Sequence, residues 1–423
     1  MREFIADTLL PKLGKISEHR FIKSIQQGAM GALTITMISS VVSIIKTPPF
    51  SASNTTNGIL IAWSEFATAY ATELTLFYNV TMGMIGIFVL FGVIYKMSSY
   101  YKMNPLNPTI MGTVSFLMLT VDFGTITDTS TASMSITYLG AQGMFSAFVI
   151  GIVVVELLNV LGQSKFKISM PPSVPAMVSD TFAALIPSTV VFVIFIGIRC
   201  VFNSLGFLFP AFVLQILSPF LQASDSLGAV ILLYSFARIL WWLGIHGTSI
   251  INSVVQPLIA YNIAANLEAY NLGLELPYTF TAVIPIFEIG TISTCIAILL
   301  VCKSERLKAV AKVGFVPSIF KISEPVIFGM PLVYNFKLFI PFFLTHVSGV
   351  ATAYVFMSSG LINKAIFAFP FTLPGPINAT LATLDWKAGA LWMVLLVIQV
   401  LMYIPFLKSY DKDILLEESA SGE

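Results

Sequence analysis

Apolar stretches separated by short polar segments run along almost the whole chain, and several are long enough to cross a bilayer. About 30 Å of hydrocarbon needs roughly 17–25 helical residues. Clear stretches cover residues 29–45, 80–95, 144–161, 182–201, 278–302, 338–357 and 388–407. Weaker or interrupted ones cover 108–121, 227–245 and 250–265. Together they predict about ten transmembrane helices. Stretches 59–76 and 207–222 are short, amphipathic or proline-bounded, and predict helices lying in the interface.

The pattern is broken by glycine and proline in two apolar regions, around His246 and around Glu324. Backbone that leaves the helix at membrane depth survives only where protein or a water-filled cavity satisfies its polar groups. Such interruptions are also the best sequence pointer to a transporter's binding site. The loop 204–226, with Gly206, Pro210 and Pro219, separates plain spans from the interrupted ones. It divides the chain into a polar amphipathic segment 1–27, a transmembrane region 28–203, the linker 204–226, a second region 227–407 and a tail 408–423.

Composition agrees with a polytopic membrane protein. Of 423 residues, 57% are hydrophobic and only 10% charged, whereas soluble domains carry roughly 25% charged residues. The net charge of +1 and the lack of a long basic run argue against nucleic-acid binding. Residues 1–27 lack the compact apolar core and cleavage site of a signal peptide. Cys200, Cys295 and Cys302 are isolated in apolar surroundings, which predicts free thiols rather than a metal site or disulfides.

Basic residues orient the array. Lys12, Lys15, Arg20 and Lys23 precede the first span, Lys96 and Lys102 follow the second, and Lys165 and Lys167 follow the fourth. Lys303, Arg306, Lys308 and Lys312 cluster after the eighth, and Lys408 and Lys412 close the chain. The loop 122–138 holds two aspartates and no Lys or Arg. An even number of spans with both termini cytoplasmic satisfies the positive-inside rule.

Three segments carry candidate chemistry. In Trp241-Trp242-Leu243-Gly244-Ile245-His246-Gly247, glycines allow a close backbone approach to a ligand. Tryptophan faces stack on sugar rings, and their N–H groups reach hydroxyls. A lone intramembrane histidine is often a packing residue; the glycine flanks and the tryptophan pair favour function. In Lys321-Ile322-Ser323-Glu324-Pro325, a carboxylate beside a broken helix is a functional-site hypothesis by default. Its bland reading is a helix-packing carboxylate. His246 and Glu324 together suit a neutral polyhydroxylated ligand. The third segment, Pro374-Gly375-Pro376, fixes a non-helical approach to the last span and brings Asn378 and Trp386 toward the same cavity, unless it is an ordinary external loop.

Other polar residues in or near spans have blander expectations. His346 reads as a core histidine bonded to a backbone carbonyl. Glu156, Arg199, Arg238 and Glu288 are expected to pair or snorkel. Phosphate-cradling glycine loops, nucleophile elbows and metal-ligand clusters are absent, so no cofactor is expected.

These segments resemble the sugar-translocating membrane component, enzyme IIC, of the phosphoenolpyruvate-dependent phosphotransferase system, in its lactose/cellobiose/diacetylchitobiose branch. The resemblance begins at Leu10-Pro11-Lys12-Leu13-Gly14 with Arg20 and recurs at Met170-Pro171-Pro172-Ser173-Val174-Pro175. It continues through Ser179-Asp180-Thr181-Phe182, Gly244-Ile245-His246-Gly247, Ser323-Glu324-Pro325, Phe328-Gly329-Met330-Pro331 and Ile340-Pro341-Phe342. It implies an all-α integral membrane protein of the bacterial cell membrane, with about ten transmembrane helices, two re-entrant hairpins and interfacial helices. It further implies a homodimer, with 28–203 as the dimerisation region and 227–407 as the transport domain. By the same resemblance, His246 and Glu324 contact a β-linked disaccharide near the hydroxyl to be phosphorylated, with Trp242, Gly247, Asn378 and Trp386 in the same site. A separate cytoplasmic IIB protein, charged in turn by IIA, donates phosphate from a phosphocysteine. The tail after Leu407 is too short for a IIB domain, which makes those partners expected in trans. Family members often have Asn where Lys321 and Ser323 stand, and Asn-Pro in place of Asn335-Phe336.

Group translocation therefore leads, with Glu324 as a possible general base and His246 orienting it. The alternative is an ion-coupled secondary sugar transporter that uses Glu324 and His246 as a proton relay. A lipid-modifying enzyme lacks any nucleophile or metal site to support it.

Overall fold

In the computed structural model, the structure describes residues 19–46, 57–121, 135–164, 168, 170–171, 174–244, 246–330 and 332–420. The motif at 10–17, much of the loop 122–138, Lys165, Lys167, Pro172, Ser173, Ile245 and Pro331 lie outside them. Most described residues are helical, and none forms a strand. In chain order the helices are α1 Arg20–Gly31, α2 Leu33–Lys46, α3 Gly58–Ala69, α4 Ala71–Thr81, α5 Ile85–Tyr100 and α6 Leu106–Thr120. Next come α7 Met144–Gly162, α8 Ala176–Ser204, α9 Phe209–Ser224, α10 Leu227–Trp242, α11 Gly247–Asn271 and α12 Thr291–Val301. Last are α13 Glu305–Ile319, α14 Glu324–Gly329, α15 Phe336–Ser358, α16 Gly375–Thr383 and α17 Trp386–Ala420.

Seven helices among the described residues are long and apolar enough to cross a membrane, and eight if α9 and α10 count as one bent span. The expected interfacial stretch 59–76 forms α3 and the start of α4, but α4 runs with α5 through Ala71–Tyr100 as one candidate span. Outward-facing apolar residues support a bilayer environment. In the Thr181–Ser204 span only 22% of the window is buried, which would be untenable in water for so apolar a helix.

The chain forms two compact units, Met1–Leu221 with Ser253–Leu272, and Gln222–Asn252 with Gly273–Glu423. The division is thus not one cut at the 204–226 linker, because most of α11 belongs to the first unit.

In the first unit α1 crosses α5 where two glycines meet. A Cβ built on Gly92 would lie 2.8 Å from the Gly28 Cα, and one on Gly28 would lie 2.9 Å from the Val89 carbonyl oxygen. Helices in lipid associate through close packing rather than water exclusion, so small residues set this distance. Gly92→Ala is expected to destabilise the unit by about 1–3 kcal/mol through overpacking, read as a lower melting temperature of the purified protein. Polar anchoring follows the same logic. Glu156 on α7 pairs with Arg20 at 3.3 Å and accepts from the Tyr101 hydroxyl at 2.8 Å. Glu156 is thus paired, one of the two outcomes expected of it.

In the second unit α10 packs on α15, and α12 packs on α13 and α17. A 3₁₀ turn at Ile284–Phe287 leads into α12, and the six-residue α14 follows α13. The Asp225 carboxylate accepts from the backbone N–H groups of Thr279 and Phe280, at 3.0 and 2.6 Å, holding the non-helical approach to that turn. Asp411 on α17 accepts from Lys303 and Ser304 in the same way. Cys200, Cys295 and Cys302 are free thiols.

Candidate functional site

Four interruptions of helix in the second unit converge on one cavity of about 350 Å³. The first is the α10–α11 connection. Gly244 takes φ +81°, a left-handed geometry that ends α10 at little cost only for glycine. The chain then turns so that His246 precedes α11, and its Nδ1 accepts from the Ser249 N–H at 3.2 Å, with the Ser249 hydroxyl at 2.8 Å. An N–H donor at Nδ1 leaves that nitrogen as the acceptor, which assigns the ring proton of neutral His246 to Nε2. Nε2 faces Glu324 Oε1 across 3.7 Å.

The second interruption is the α13–α14 connection. Ile322 N–H bonds the Pro317 carbonyl and Lys321 N–H bonds the Ser318 carbonyl, both at 3.0 Å. This double closure is a Schellman end, with Lys321 at the left-handed position, φ 63°. Glycine favours that position; a side chain there costs about 1 kcal/mol. Ser323 then starts α14, with Glu324 in its first turn. The His246 and Glu324 side chains remain 49% and 47% exposed, so both face the open part of the cavity.

The two connections are joined. Tyr334 N–H bonds the Trp242 carbonyl at 2.9 Å, and Trp242 Nε1 bonds the Asn335 carbonyl at 3.2 Å. Trp242 packs edge-on against Phe336 and tilted against Phe339, and does not line the cavity. Trp241 does: its ring lies 4.3 Å from His246, and its Nε1 bonds Thr248 Oγ1 at 2.9 Å. Gly247 is buried, because a Cβ there would lie 2.0 Å from the Ala237 carbonyl oxygen. It lets α11 start against α10 rather than offering a surface to ligand.

The third and fourth interruptions supply the floor and one wall. Glu288 and Gly290 follow the 3₁₀ turn and line the cavity, as do Phe371 and Thr372 ahead of the Pro-Gly-Pro bend. Gly375 is needed at that bend because a Cβ would lie 2.3 Å from the Trp392 ring. Asn378, 2% exposed, donates to the Pro370 carbonyl at 3.0 Å and stays out of the cavity. Trp386, 73% exposed, lines a separate shallow apolar groove with Pro376 and Thr380. Of the six residues read from sequence, the cavity thus gathers His246 and Glu324, and adds Trp241, Arg238, Glu288, Lys321 and His346. His346 is buried, as expected of a core histidine, yet it borders the cavity. No cluster of metal-ligating side chains occurs among the described residues.

Polar side chains around a partly open, largely apolar-walled space suit a neutral hydroxylated ligand. Comparison with known proteins identifies the setting. The family model for the phosphotransferase system, EIIC, matches residues 26–345. The chain is a phosphotransferase-system EIIC protein. It is 30% identical to the oligo-beta-mannoside-specific EIIC component of Bacillus subtilis, over 97% of this chain and 94% of that one. It is 29% identical to the lactose-specific EIICB component of Lacticaseibacillus casei, covering 99% of this EIIC chain and 73% of that protein. The crystal structure of ChbC, the IIC component from the N,N'-diacetylchitobiose-specific phosphotransferase system, superposes with a TM-score of 0.85 at 28% identity. That match covers 98% of this chain and 99% of the other. This EIIC protein is therefore a multi-pass sugar permease component of a bacterial membrane.

Proposed function

We propose that this EIIC protein binds a β-linked disaccharide in the His246–Glu324 cavity and presents it to a separate IIB protein for phosphorylation. The observation that carries the reading is the meeting of His246 and Glu324, from two different helix interruptions, at 3.7 Å on one cavity wall. Glu324 accepts the hydrogen bond of the reacting hydroxyl. His246, held with its proton on Nε2, donates to an adjacent sugar oxygen. In the transfer, the hydroxyl oxygen forms a bond to phosphorus as the sulfur–phosphorus bond of the IIB phosphocysteine breaks. The thiolate leaves and the hydroxyl proton passes to Glu324. Both termini lie on the cytoplasmic side in this reading, in line with the basic loops. In this reading the protein works as a homodimer, and light scattering of the purified protein tests the mass.

A panel of β-linked disaccharides, titrated against purified protein and then assayed for phosphoenolpyruvate-dependent phosphorylation with IIA and IIB, tests the assignment. Binding of at least one member and its phosphorylation are expected. The 3.7 Å contact would equally serve a proton relay. Uptake driven by an imposed proton gradient, without phosphoenolpyruvate or IIB, would decide for that alternative.

Trp241 and Trp242 separate cleanly in the same assay. Trp241→Ala removes the aromatic face beside His246 and is expected to weaken sugar binding by about two- to tenfold, at ~0.5–1.5 kcal/mol for a lost aromatic contact. Trp242→Phe, which keeps the aromatic cluster, is expected to leave affinity within about twofold, since a single net hydrogen bond of ~1 kcal/mol away from the ligand is lost.

A further inference from the structure

Lys321 belongs to the cavity wall, yet the proposed function gives it no task. Its ammonium donates to the Pro285 and Ile286 carbonyls at 3.1 and 2.7 Å and lies 4.8 Å from the centre of the Phe371 ring. One side chain thus joins three of the four interruptions: the α13–α14 connection, the 3₁₀ turn and the segment ahead of the Pro-Gly-Pro bend. Hydrogen bonds from a charged donor are stronger than neutral ones. Trp392 Nε1 donates to the same Ile286 carbonyl at 3.0 Å, so the receiving turn is itself held from α17.

What the ammonium fixes follows from the rest of the hairpin. α13 and α14 pack as one piece, because Gly314 lies against Val326 and Gly329 against Val310 without room for a Cβ. Ser318 ties α13 to α12 through a 2.7 Å hydrogen bond with Thr291. Beyond Ser318 the tip has little apolar packing to hold it, since Phe320 and Ile322 are 43% and 47% exposed. Glu324 begins α14 three residues after Lys321, so the place of the tip decides where the carboxylate stands against His246. The backbone gives a second, independent sign. Lys321 holds φ 63°, which glycine would adopt freely, and such strain persists where the surroundings over-determine it. The two carbonyl bonds do so here.

Building on the assignment of Glu324 as the base, we propose that Lys321 is a positioning residue for phosphoryl transfer. Its ammonium pins the hairpin tip to the 3₁₀ turn and so holds Glu324 in line with the reacting hydroxyl. Its effect on the reaction is exerted through Glu324.

The test is a double-mutant cycle on the purified full-length protein: Lys321→Gly, Glu324→Gln and the two combined, with Lys321→Arg as the conservative variant. Titration with the panel of β-linked disaccharides reads binding, and single-turnover phosphorylation with IIA and IIB reads the rate. Glycine suits the left-handed backbone, so Lys321→Gly removes the anchor while keeping the fold. It is expected to slow phosphorylation about 10–100-fold, the scale of an ångström's misplacement, with affinity within about threefold. Lys321→Arg keeps donors for both carbonyls and recovers most of the rate. In the Glu324→Gln background the same Lys321→Gly change is expected to slow the reaction by less than about threefold more, because residues acting as one unit are non-additive. A lysine that served stability alone would lower the melting temperature and leave the rate. A wild-type rate in Lys321→Gly, or a fully multiplicative loss in the double variant, overturns the positioning role and leaves the sugar-binding reading intact. Unchanged phosphorylation in Glu324→Gln overturns the base assignment and the positioning role with it, as does failure of wild type to bind any disaccharide of the panel.

Discussion

Replacing Glu324 with glutamine is expected to leave disaccharide binding within about threefold while slowing phosphorylation by IIB about 10²–10⁴-fold, the usual contribution of a positioned general base. Glutamine keeps an oxygen to accept the hydroxyl hydrogen bond and keeps the side-chain volume, so the cavity wall persists. What it cannot do is take the proton. His246 does not substitute for it, because its Nδ1 is engaged by Ser249 and its Nε2 already carries the proton in the neutral ring. Parallel titration calorimetry and single-turnover phosphorylation separate the two quantities. Phosphorylation unchanged beside normal binding would remove the base role and leave Glu324 as a positioning group, with orientation alone supplying the rate. Loss of binding as well would show that Glu324 charge holds the sugar in the ground state.

The sequence made the membrane class, the helical fold and the two interruptions legible, because hydropathy and Gly/Pro punctuation are local. His246 and Glu324 were readable for the same reason: each is a polar residue at an interruption in apolar surroundings. What depended on facing was not. Trp241 and Trp242 are consecutive on α10, about 100° apart around the helix axis, so only one can face His246, and nothing local tells which. Asn378 looked available until the bend folded its amide onto the Pro370 carbonyl. Trp386 is two residues past a left-handed turn at Leu384, which leaves it on the outside of α17. Lys321 was visible as an oddity, but lysine gives no sign of a positive φ, so its place at a Schellman end emerged only from the backbone. The assignment of 253–272 to the first unit rests on packing between residues far apart in sequence, which no window of hydropathy contains.

The same long-range logic makes the stability of the second unit depend on Asp225. Asp225→Ala is expected to destabilise the second unit by about 2–5 kcal/mol. Its carboxylate is the acceptor for the backbone N–H groups of Thr279 and Phe280, which are 3% and 0% exposed. Deleting it strands two donors away from water, at about 1–3 kcal/mol each. The Tyr354 hydroxyl still bonds the Asp225 carbonyl, which belongs to the backbone and survives the change. Asp225→Asn keeps one acceptor oxygen but no charge, so it is expected to lie between the two. The consequence for function follows from connectivity, since residues 279–283 lead into the turn whose Pro285 and Ile286 carbonyls hold Lys321. Thermal melting of the purified variants, followed by disaccharide titration well below the melting transition, measures both effects. A melting temperature unchanged in Asp225→Ala would mean that other acceptors or water satisfy the freed N–H groups, and that the approach to the cavity floor does not depend on this carboxylate.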